Sequence, residues 1–443
     1  MQTEPLIPAD MRSFLETTAR AVLDTCSVAP GAACGSGVNT LGFRAITPGG
    51  YPAVWIQDFT MNFSSGLLER EVGLNHLRLI LEKQNGEEAQ ELGSGVIVPP
   101  HAIADHINLN GEPVFFPGTY DPIAHQEGAW GFRPPTNNYY DVIWLAHMLA
   151  TSGDAVALLN GSVNGKTVYE RLQLAFGVPE IDPATQLVHT TAERRVVGFI
   201  FCDSICMTGD LLMASLLRHR AAGHLAFFAE SLEQAHVESQ DSARARAERP
   251  PHLKAAPNCG IVLSKDAETY TAIAGQIAQN IQPVFGRDAH SGGWLKAATE
   301  ISGQPDVWGS MYAIYRGIIQ GEAKEQLLRT IVRALDKDGE IEFQGALRHV
   351  PVSLSASAAS AWERTATPGN RYQNGAYWHT PVGWLLAILE DGHPEHARAI
   401  RDRWLAHLKA EQGRVWECIG WGGEANQNSG FAPSITQPLG VLG

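Results

Sequence analysis

The stretch of residues 208–239, TGDLLMASLLRHRAAGHLAFFAESLEQAHVES, decides the fold class of this 443-residue chain. Its apolar residues recur at intervals of three and four, the period of an α-helix that buries one face. Similar helix-period segments cover most of the chain, with almost no alternating strand pattern between them. They span residues 9–25, 58–83, 138–151, 167–176, 267–284, 307–319, 322–335, 381–389 and 394–411.

Helix-breaking residues separate these segments and predict helical hairpins. Examples are Ser152-Gly153-Asp154, Gly321 and Asp391-Gly392-His393-Pro394. If residues 208–245 form two helices and a short helix follows Pro433, the count approaches twelve. Long loops rich in Gly, Pro and aromatic residues cover 93–135, 290–305 and 345–378, and such loops are usually functional. The pattern predicts an all-α fold, an (α/α)6 toroid of helical hairpins with long loops at one end, in a single domain over residues 1–443.

The charge balance argues against several partners. The formal net charge is −14, and the one basic cluster, residues 244–249, is interleaved with Glu, whereas nucleic acids and anionic membranes are bound through clustered Lys and Arg. The most apolar stretch, 196–217, is interrupted by Asp203 and Asp210, which argues against a transmembrane helix. Residues 1–10 lack the pattern of a secretory signal. We therefore expect no nucleic-acid partner, no membrane insertion and a cytoplasmic location.

The six cysteines predict neither a disulfide framework nor a metal site. Cys202 and Cys206 share one helical face, but no second Cys or His pair follows at zinc-site spacing. Buried thiols are the expected state, and no cofactor is predicted. The sequence does not predict an oligomeric state.

The tryptophans point to a carbohydrate ligand. Nine of the 11 lie in or beside irregular segments: Trp55, Trp130, Trp294, Trp308, Trp362, Trp378, Trp384, Trp416 and Trp421. Sugar C–H faces pack on aromatic rings, while sugar hydroxyls need fixed polar partners. Asp, Glu, Gln, Asn and His are close to these tryptophans in the sequence. An oligosaccharide or glycoside is therefore the expected substrate.

Glycoside hydrolysis needs one protonated carboxyl group and one ionised carboxylate. An almost fully apolar run precedes Asp203, so burial is expected to raise its pKa and suit it to the role of acid; capping of the following helix is the alternative. Glu424 stands in a polar, Gly-rich turn that favours an ionised base. Glu363 and Glu417, each beside a Trp, are rival candidates for the base, and Asp58 and Asp306 are further carboxylates in aromatic or Gly-rich surroundings.

Three segments, in order, resemble motifs of the trehalase family and of processing α-glucosidases in the six-hairpin glycosidase superfamily. They are Pro48-Gly-Gly-Tyr-Pro-Ala-Val-Trp-Ile-Gln-Asp-Phe, Tyr372-Gln-Asn-Gly-Ala-Tyr-Trp-His-Thr-Pro-Val-Gly-Trp and Gly420-Trp-Gly-Gly-Glu-Ala-Asn-Gln-Asn-Ser-Gly-Phe. The resemblance implies an (α/α)6 fold and an inverting mechanism that requires no metal. It assigns Trp55 and Asp58 to substrate binding, Gln373, Asn374 and Trp378 to the pocket wall, and Glu424 to the base. Asp203 matches the family's acid motif only loosely, and the trehalase arginines are absent, so trehalose is not inferred.

The complete predicted site has two catalytic residues, Asp203 and Glu424, and a larger substrate-binding set. That set is Trp55, Asp58, Trp130, Asp306, Trp308, Arg348, Glu363, Tyr372, Gln373, Asn374, Trp378, His379, Trp416, Glu417 and Trp421. The two catalytic carboxyls are expected to face each other roughly 6.5 to 9.5 Å apart, which leaves room for a water molecule.

Three other functions are compatible with the same fold. A sugar epimerase would move a proton with paired histidines drawn from His101, His106, His349 and His379. A lyase or uronyl hydrolase would pair the carboxylate of an acidic sugar with Arg133, Arg348 or Arg371. A non-catalytic sugar-binding protein would use the tryptophans alone. The sequence does not identify the sugar or the linkage.

Overall fold

The computed structural model describes residues 5–28, 40–41, 53–117, 130–197, 200–201, 204–247, 260–286, 292–300, 302–354, 364–365, 367, 369–421 and 426–443. Within these ranges the chain forms thirteen α-helices. They are α1 (Ala9–Cys26), α2 (Ile56–Ser64), α3 (Arg70–Glu82), α4 (Asn137–Thr151), α5 (Ala155–Asn160), α6 (Val168–Phe176), α7 (Leu212–Ala247), α8 (Gly260–Phe285), α9 (Val307–Tyr315), α10 (Gly321–Leu335), α11 (Val382–Leu389), α12 (Pro394–Ala410) and α13 (Pro433–Leu442). The protein is therefore mostly α-helical.

The strands are short and antiparallel, and they lie in the connections between helices. They are β1 (Ser27–Val28), β2 (Thr40–Leu41), β3 (Ala53–Trp55), β4 (Gln90–Gly93), β5 (Val96–Val98), β6 (His106–Asn108), β7 (Pro113–Val114), β8 (Ser162–Val163), β9 (Lys166–Thr167), β10 (His189–Thr190), β11 (Ile205–Cys206), β12 (Gly209–Asp210), β13 (Glu342–Phe343), β14 (Ala346–Leu347), β15 (Arg364–Thr365), β16 (Trp416–Cys418) and β17 (Gln427–Ser429). One three-stranded sheet pairs β3, β6 and β7; the other described sheets are two-stranded. No larger sheet competes with helix packing in the described ranges.

Six helices contact one another in a closed cycle. Helix α2 packs on α4, α4 on α7, α7 on α9, α9 on α11, α11 on α13, and α13 returns to α2. Along the chain, one other helix lies between successive members of these six inner helices, except between α4 and α7, where there are two, α5 and α6. Four of the intervening helices pack on the outside of the cycle: α3 on α4, α8 on α7, α12 on α11 and α1 on α13.

The inner helices run in the same direction. Asp141 of α4 pairs with Arg220 of α7, and His147, further along α4, contacts Phe228, further along α7. Residue numbers therefore increase together along the two helices. Further ordered contacts join Leu212 to Gly309, Arg220 to Tyr312, Asn62 to Thr436 and Ser64 to Gly440. Parallel neighbours around the cycle bring the N-termini of the inner helices to one end.

Burial separates the inner helices from the outer ones. In α2, α9 and α11 every residue except one is buried. In α10 and α12 the buried residues recur at helical spacing, so a single face is buried. A helix that is apolar all round belongs in an interior, and an amphipathic helix belongs at a surface. The sequence composition of each helix thus matches its place in the cycle.

Two predicted segments contain a different number of helices in the structure. Residues 212–247 form one continuous helix rather than two, because the segment has no proline and its only glycine, Gly223, lies in open space. The segment 58–83 is two helices, α2 and α3. Gly66, between them, has φ +71°, a left-handed conformation that commonly follows the end of a helix.

Within the described ranges, none of the helices combines the length and the apolar character required to cross a bilayer. Cys26, Cys206 and Cys418 are buried; Cys202 lies outside the described residues. The described part of the chain contains no group of three His, Cys, Asp or Glu side chains suited to a metal ion.

Candidate active site

Most of the predicted site residues lie just before, or in the first turn of, an inner helix. Trp55 and Asp58 lie at the start of α2, Asp306 and Trp308 at the start of α9, and residues 372–379 directly before α11. Trp416, Glu417 and Trp421 precede α13, and Trp130 precedes α4. Because the inner helices are parallel, these segments share one end of the helical cycle.

Trp378 is the centre of an aromatic cluster at this end. Its side chain is fully buried and stacks on Phe201, with ring centroids 5.0 Å apart and planes 18° apart. Tyr372 and Phe431 contact other parts of the indole, at 5.3 Å and 6.3 Å. The indole Nε1 donates to the carbonyl oxygen of Tyr372 at 3.3 Å. The cluster therefore joins the segments before α7, α11 and α13.

Trp308 and His349 extend this cluster towards α9. The Trp308 ring stacks on His349 at 3.7 Å and meets Trp378 edge-on at 6.1 Å. The backbone N–H of Val307 donates to the carbonyl oxygen of His349 at 2.9 Å, which holds the His349 segment against the start of α9. Burial lowers the pKa of His349 to about 3, so its imidazole is neutral at physiological pH.

Glu417 is a buried carboxyl group beside the cluster. The Tyr372 hydroxyl donates to Glu417 Oε1 at 2.9 Å, and Asn428 Nδ2 donates to Oε2. Burial raises the pKa of Glu417 to about 7, although both hydrogen bonds favour the ionised form and oppose this shift. A carboxyl group with this pKa exchanges a proton readily near neutral pH, as acid–base catalysis requires.

The local backbone explains the position of Glu417. Strands β16 and β17 form a hairpin in which Trp416 pairs with Ser429 and Cys418 with Gln427, so Glu417 lies opposite Asn428. Cross-strand neighbours are close enough for side-chain hydrogen bonds. Tyr372 has φ +45°, in a turn that the bridge between Arg371 and Asn374 closes. The hairpin and the turn together bring the side chains of Glu417, Asn428 and Tyr372 into contact.

Gln373 connects the cluster to the segment before α7. Its Oε1 accepts the backbone N–H of Ser204 at 2.7 Å, and its side chain is almost fully buried. Its Nε2 has no hydrogen-bond partner among the described residues. Ser204 Oγ accepts the Thr367 hydroxyl at 2.8 Å. The described residues on either side of positions 202 and 203 are thus in contact with two neighbours, Phe201 with Trp378 and Ser204 with Gln373.

Trp55 and Asp58 belong to a second group, at the start of α2. Trp55 stacks on His106 at 4.0 Å, across the β3–β6 pairing. His106 Nδ1 lies 2.9 Å from Asp105, and Asn138 Nδ2 donates to the other oxygen of Asp105 at 3.2 Å. Asp58 is buried in the first turn of α2. A buried polar layer therefore links the starts of α2 and α4.

Two predicted site residues, Asp306 and His379, have local structural contacts, whereas no hydrogen bond of the indole nitrogen is found for a third, Trp130, among the described residues. Asp306 caps α9 and accepts the backbone N–H of Gly309 at 2.7 Å, and burial raises its pKa to about 6. His379 Nε2 lies 3.0 Å from the Gln344 carbonyl oxygen, and its ring stacks on His407. Trp130 is half-buried, and its indole nitrogen has no hydrogen-bond partner among the described residues.

Four predicted residues lie away from the Trp378 cluster. Asn374 Nδ2 donates to the Thr367 carbonyl oxygen at 2.9 Å. Trp416 donates to Glu411 at 3.1 Å. Arg348 and Trp421 line a separate cavity of about 440 Å³.

Three predicted carboxylates, Asp203, Glu363 and Glu424, lie outside the described residues, as does the segment 48–52 of the first motif. The separation of Asp203 and Glu424 therefore remains a prediction.

Among the four histidines considered for an epimerase, the described contacts bring no two together. His101 lies beside Glu87 and His106 beside Asp105, whereas His349 stacks on Trp308.

Sequence reasoning missed Asn428, Phe201 and the pair Asp105 and Asn138. Asn428 stands four residues after Glu424 in a motif already singled out, but its role depends on the hairpin register. Phe201 was part of an apolar run interpreted as the burial environment of Asp203. An alternating pattern in 415–418 and 427–429 would have been the only signal for the hairpin, and both stretches are too short to show it.

No family model matches the chain, and no curated protein sequence matches it. Solved structures do match. The GH63 mannosylglycerate hydrolase from Thermus thermophilus, in complex with glucose, is 14% identical with a TM-score of 0.54 over 96% of this chain and 99% of its own. A wild-type glycosidase is 12% identical with a TM-score of 0.53 over 98% and 97% of the two chains. A single-residue variant of a glycosidase, in complex with glucose, is 11% identical with a TM-score of 0.54 over 98% and 97%. This chain therefore shares, over almost its whole length, the fold of these glycosidases.

Proposed function

We propose that this protein is a glycoside hydrolase that cleaves a glycosidic bond with two carboxyl groups and inverts the configuration at the anomeric carbon. The observation that supports the proposal most strongly is the environment of Glu417. It is a buried carboxyl group with a pKa near 7, beside an aromatic cluster and at the N-terminal end of a closed cycle of helices. The likeness to glycosidase structures supports the same reaction class.

The catalytic domain is proposed to be an (α/α)6 toroid that spans residues 1–443. Its support is the cycle α2, α4, α7, α9, α11 and α13, in which every inner helix contacts the next and the last contacts the first. The alternation of inner and outer helices along the chain supports six hairpins. In this arrangement the loops before the inner helices would surround one central pocket next to the aromatic cluster.

Glu417 is proposed as the general base. Both of its oxygens accept hydrogen bonds, from Tyr372 and Asn428, and surroundings that supply donors suit the ionised carboxylate. The sequence alone favoured Glu424 and kept Glu417 as a rival. The contacts of Glu417 favour that rival, and Glu424 stays as the second candidate.

Asp203 is proposed as the general acid. Its two described neighbours support this assignment, because Phe201 stacks on Trp378 and the N–H of Ser204 is held by Gln373. Asp203 would donate its proton to the glycosidic oxygen as the bond to the anomeric carbon breaks. Glu417 would take a proton from the attacking water, and the new hydroxyl would form on the opposite face of the sugar. The two protons balance, and the proposed reaction involves no metal or cofactor.

The substrate is proposed to be a glycoside or oligosaccharide. The Thermus protein is a mannosylglycerate hydrolase seen with glucose, and another of the similar glycosidases was also solved with glucose. Glucosides, mannosides and mannosylglycerate are therefore the first substrates to test on this chain.

The test compares the release of reducing sugar by wild type, Glu417→Gln, Glu424→Gln and Asp203→Asn. We expect Glu417→Gln and Asp203→Asn to lower kcat by about 10³-fold or more, because general acid–base groups and water activation contribute on this scale. Glu395→Gln, an exposed glutamate of α12, is the matched control and should retain activity. Full activity in Glu417→Gln with loss in Glu424→Gln would transfer the role of base to Glu424. Hydrolysis that survives in both Glu417→Gln and Glu424→Gln would refute the two-carboxyl mechanism.

A further inference from the structure

A second cavity lies on the other side of the segment that carries Trp378. It has a volume of about 440 Å³, within the range of small-ligand sites. Tyr377, one of its lining residues, packs in a small hydrophobic cluster with Ala346 and Ile419, whereas Trp378 belongs to the main core. Consecutive side chains of an extended segment point to opposite faces. The cavity beside Tyr377 and the aromatic cluster around Trp378 therefore lie on opposite sides of this segment.

Arg348 forms part of the floor of this cavity. Its side chain is only 4% exposed, and it forms no ion pair with any described residue. Its Nε donates to the Val350 carbonyl oxygen at 3.1 Å, while both Nη atoms share Asn370 Oδ1 at the long distances of 3.3 and 3.5 Å. A guanidinium has five N–H donors. Arg348 therefore keeps donor capacity towards the cavity.

Glu340 provides acceptors in the same cavity. It is buried, and Ser353 donates to it through both its backbone N–H and its hydroxyl. Glu340 and Arg348 line one space but do not pair with each other. Buried charges of opposite sign that remain separate are costly unless polar groups lie between them. A ligand with several hydroxyls meets this need, since each hydroxyl both donates and accepts.

Trp421 provides an aromatic surface at the rim. It is 53% exposed, one of the few large hydrophobic side chains that is exposed in the described part of the chain. Its ring packs on Phe343 at 4.8 Å and lies close to Gly339, where a side chain would collide with the indole. The indole is therefore held in place on one face. A fixed, exposed indole is a suitable platform for a sugar ring.

The charges of the lining indicate a neutral ligand. Arg348 and Arg371 are balanced by Asp338 and Glu340. We infer that this cavity, formed by Trp421, Tyr377, Arg348 and Glu340, is a second binding site for a neutral pyranose sugar, separate from the catalytic cluster. The inference does not depend on the proposed catalytic role of Glu417, because none of these four residues contacts that carboxylate.

The test is ¹⁹F NMR of the full chain labelled with 5-fluorotryptophan. The chain has 11 tryptophans, and the resonance that disappears in Trp421→Phe identifies Trp421. Methyl α-D-glucopyranoside should shift this resonance saturably, in wild type and in Glu417→Gln alike. Arg348→Met and Glu340→Gln should each weaken the binding at least tenfold, while Leu92→Ala, at an exposed residue of β4, should not change it.

The remaining fluorotryptophan resonances report whether each variant is folded, so a loss of binding with these signals unchanged supports the site. Sodium glucuronate is the charged probe, and it should bind more weakly than the neutral glucoside. A Trp421 resonance that stays in place at high glucoside concentration would overturn the inference. So would binding of glucuronate alone, which would indicate an anion site.

Discussion

At the scale of single residues, the proposed reaction depends on the protonation state of Glu417. Its pKa of about 7 reflects a balance in which burial raises the pKa and the hydrogen bonds from Tyr372 and Asn428 lower it. A base must be ionised to act. We therefore expect the kcat/KM of wild type to rise with pH around an apparent pKa near 7, which forms the acidic limb of the pH profile. The profile of Glu417→Gln should lack this limb.

Tyr372→Phe tests this balance directly. The variant removes one donor that favours the ionised carboxylate, so the pKa of Glu417 should rise further and the limb should move to higher pH by about one unit. The measurement is the pH dependence of kcat/KM for wild type and variant. A limb that moves to lower pH, or does not move, would contradict the role of Glu417 as base. Tyr315→Phe, on a tyrosine of α9 outside the cluster, is the control.

The sequence could predict part of this site at the residue scale. Trp378 was selected as a tryptophan in an irregular segment with polar neighbours, and Tyr372 and Gln373 belong to the second of the three motifs that carry the family resemblance. Such local patterns are visible in the sequence. The partner of Glu417 could not be predicted, because Asn428 reaches it only through the hairpin of β16 and β17. Choosing among Glu363, Glu417 and Glu424 needs burial and hydrogen bonds, which a single sequence does not contain.

At the scale of elements, the inner helices α4 and α7 are joined by a buried ion pair. Arg220 Nη2 lies 2.8 Å from Asp141, and the same guanidinium donates to the Tyr312 hydroxyl of α9 and covers the ring of Trp144. Burial raises the pKa of Asp141 to about 6, and Arg220 opposes that shift. Arg220, itself part of α7, therefore contacts two other inner helices, α4 and α9.

Arg220→Met should lower the free energy of unfolding by about 3 to 5 kcal/mol, because it leaves Asp141 buried without its partner. Adding Asp141→Asn should recover a substantial part of that loss, because the unpaired charge is then gone. Denaturant unfolding at pH 8, where Asp141 is ionised, is the measurement. If the double variant is as unstable as the sum of the two single variants, the pair does not act as a unit.

Helix positions were largely predictable from the sequence, and helix ends were less so. The period of three and four residues identified most helices because apolar faces must be buried. The same period cannot distinguish one long helix from two, and α7 runs through residues 212–247 without interruption. The two-residue strands in the loops have no repeating pattern to detect. Their formation depends on partners distant in the sequence, such as Arg364 and Thr365 for β11.

At the scale of the whole molecule, buried titratable groups should make the protein sensitive to acid. Burial raises the pKa of three carboxyls, to about 6, 6 and 7, and lowers the pKa of five histidines to about 3 or 4. The carboxyls are Asp141, Asp306 and Glu417; the histidines are His76, His147, His219, His349 and His379.

The two sets act in opposite directions. Below pH 6.5 the unfolded chain protonates the histidines and the folded chain does not, so acid destabilises the fold. Between about pH 4 and 6 the folded chain holds carboxyl protons that the unfolded chain has released, so acid stabilises it. The histidines with a lowered pKa outnumber the carboxyls with a raised pKa, so the unfolded chain binds more protons and stability should fall as pH falls. Melting temperatures at pH 5 and pH 7.5 measure this. A higher melting temperature at pH 5 would contradict it.

The overall arrangement of the chain follows from its sequence only in outline. The repeated helical hairpins and the aromatic loops were visible, and they predicted a mostly helical protein with its site in the loops. That six particular helices close a cycle depends on contacts such as those of α13 with α2, at opposite ends of the chain. No local pattern contains that information.

Product stereochemistry tests the central claim most directly. The protein is mixed with methyl or aryl glucosides and mannosides, or with mannosylglycerate, and the first-formed sugar is followed by ¹H NMR. We expect a free sugar whose initial anomer is opposite to that of the substrate, with no product from Glu417→Gln. Initial product with the same anomeric configuration, or interconversion of free sugars without cleavage of any glycoside, would contradict the account.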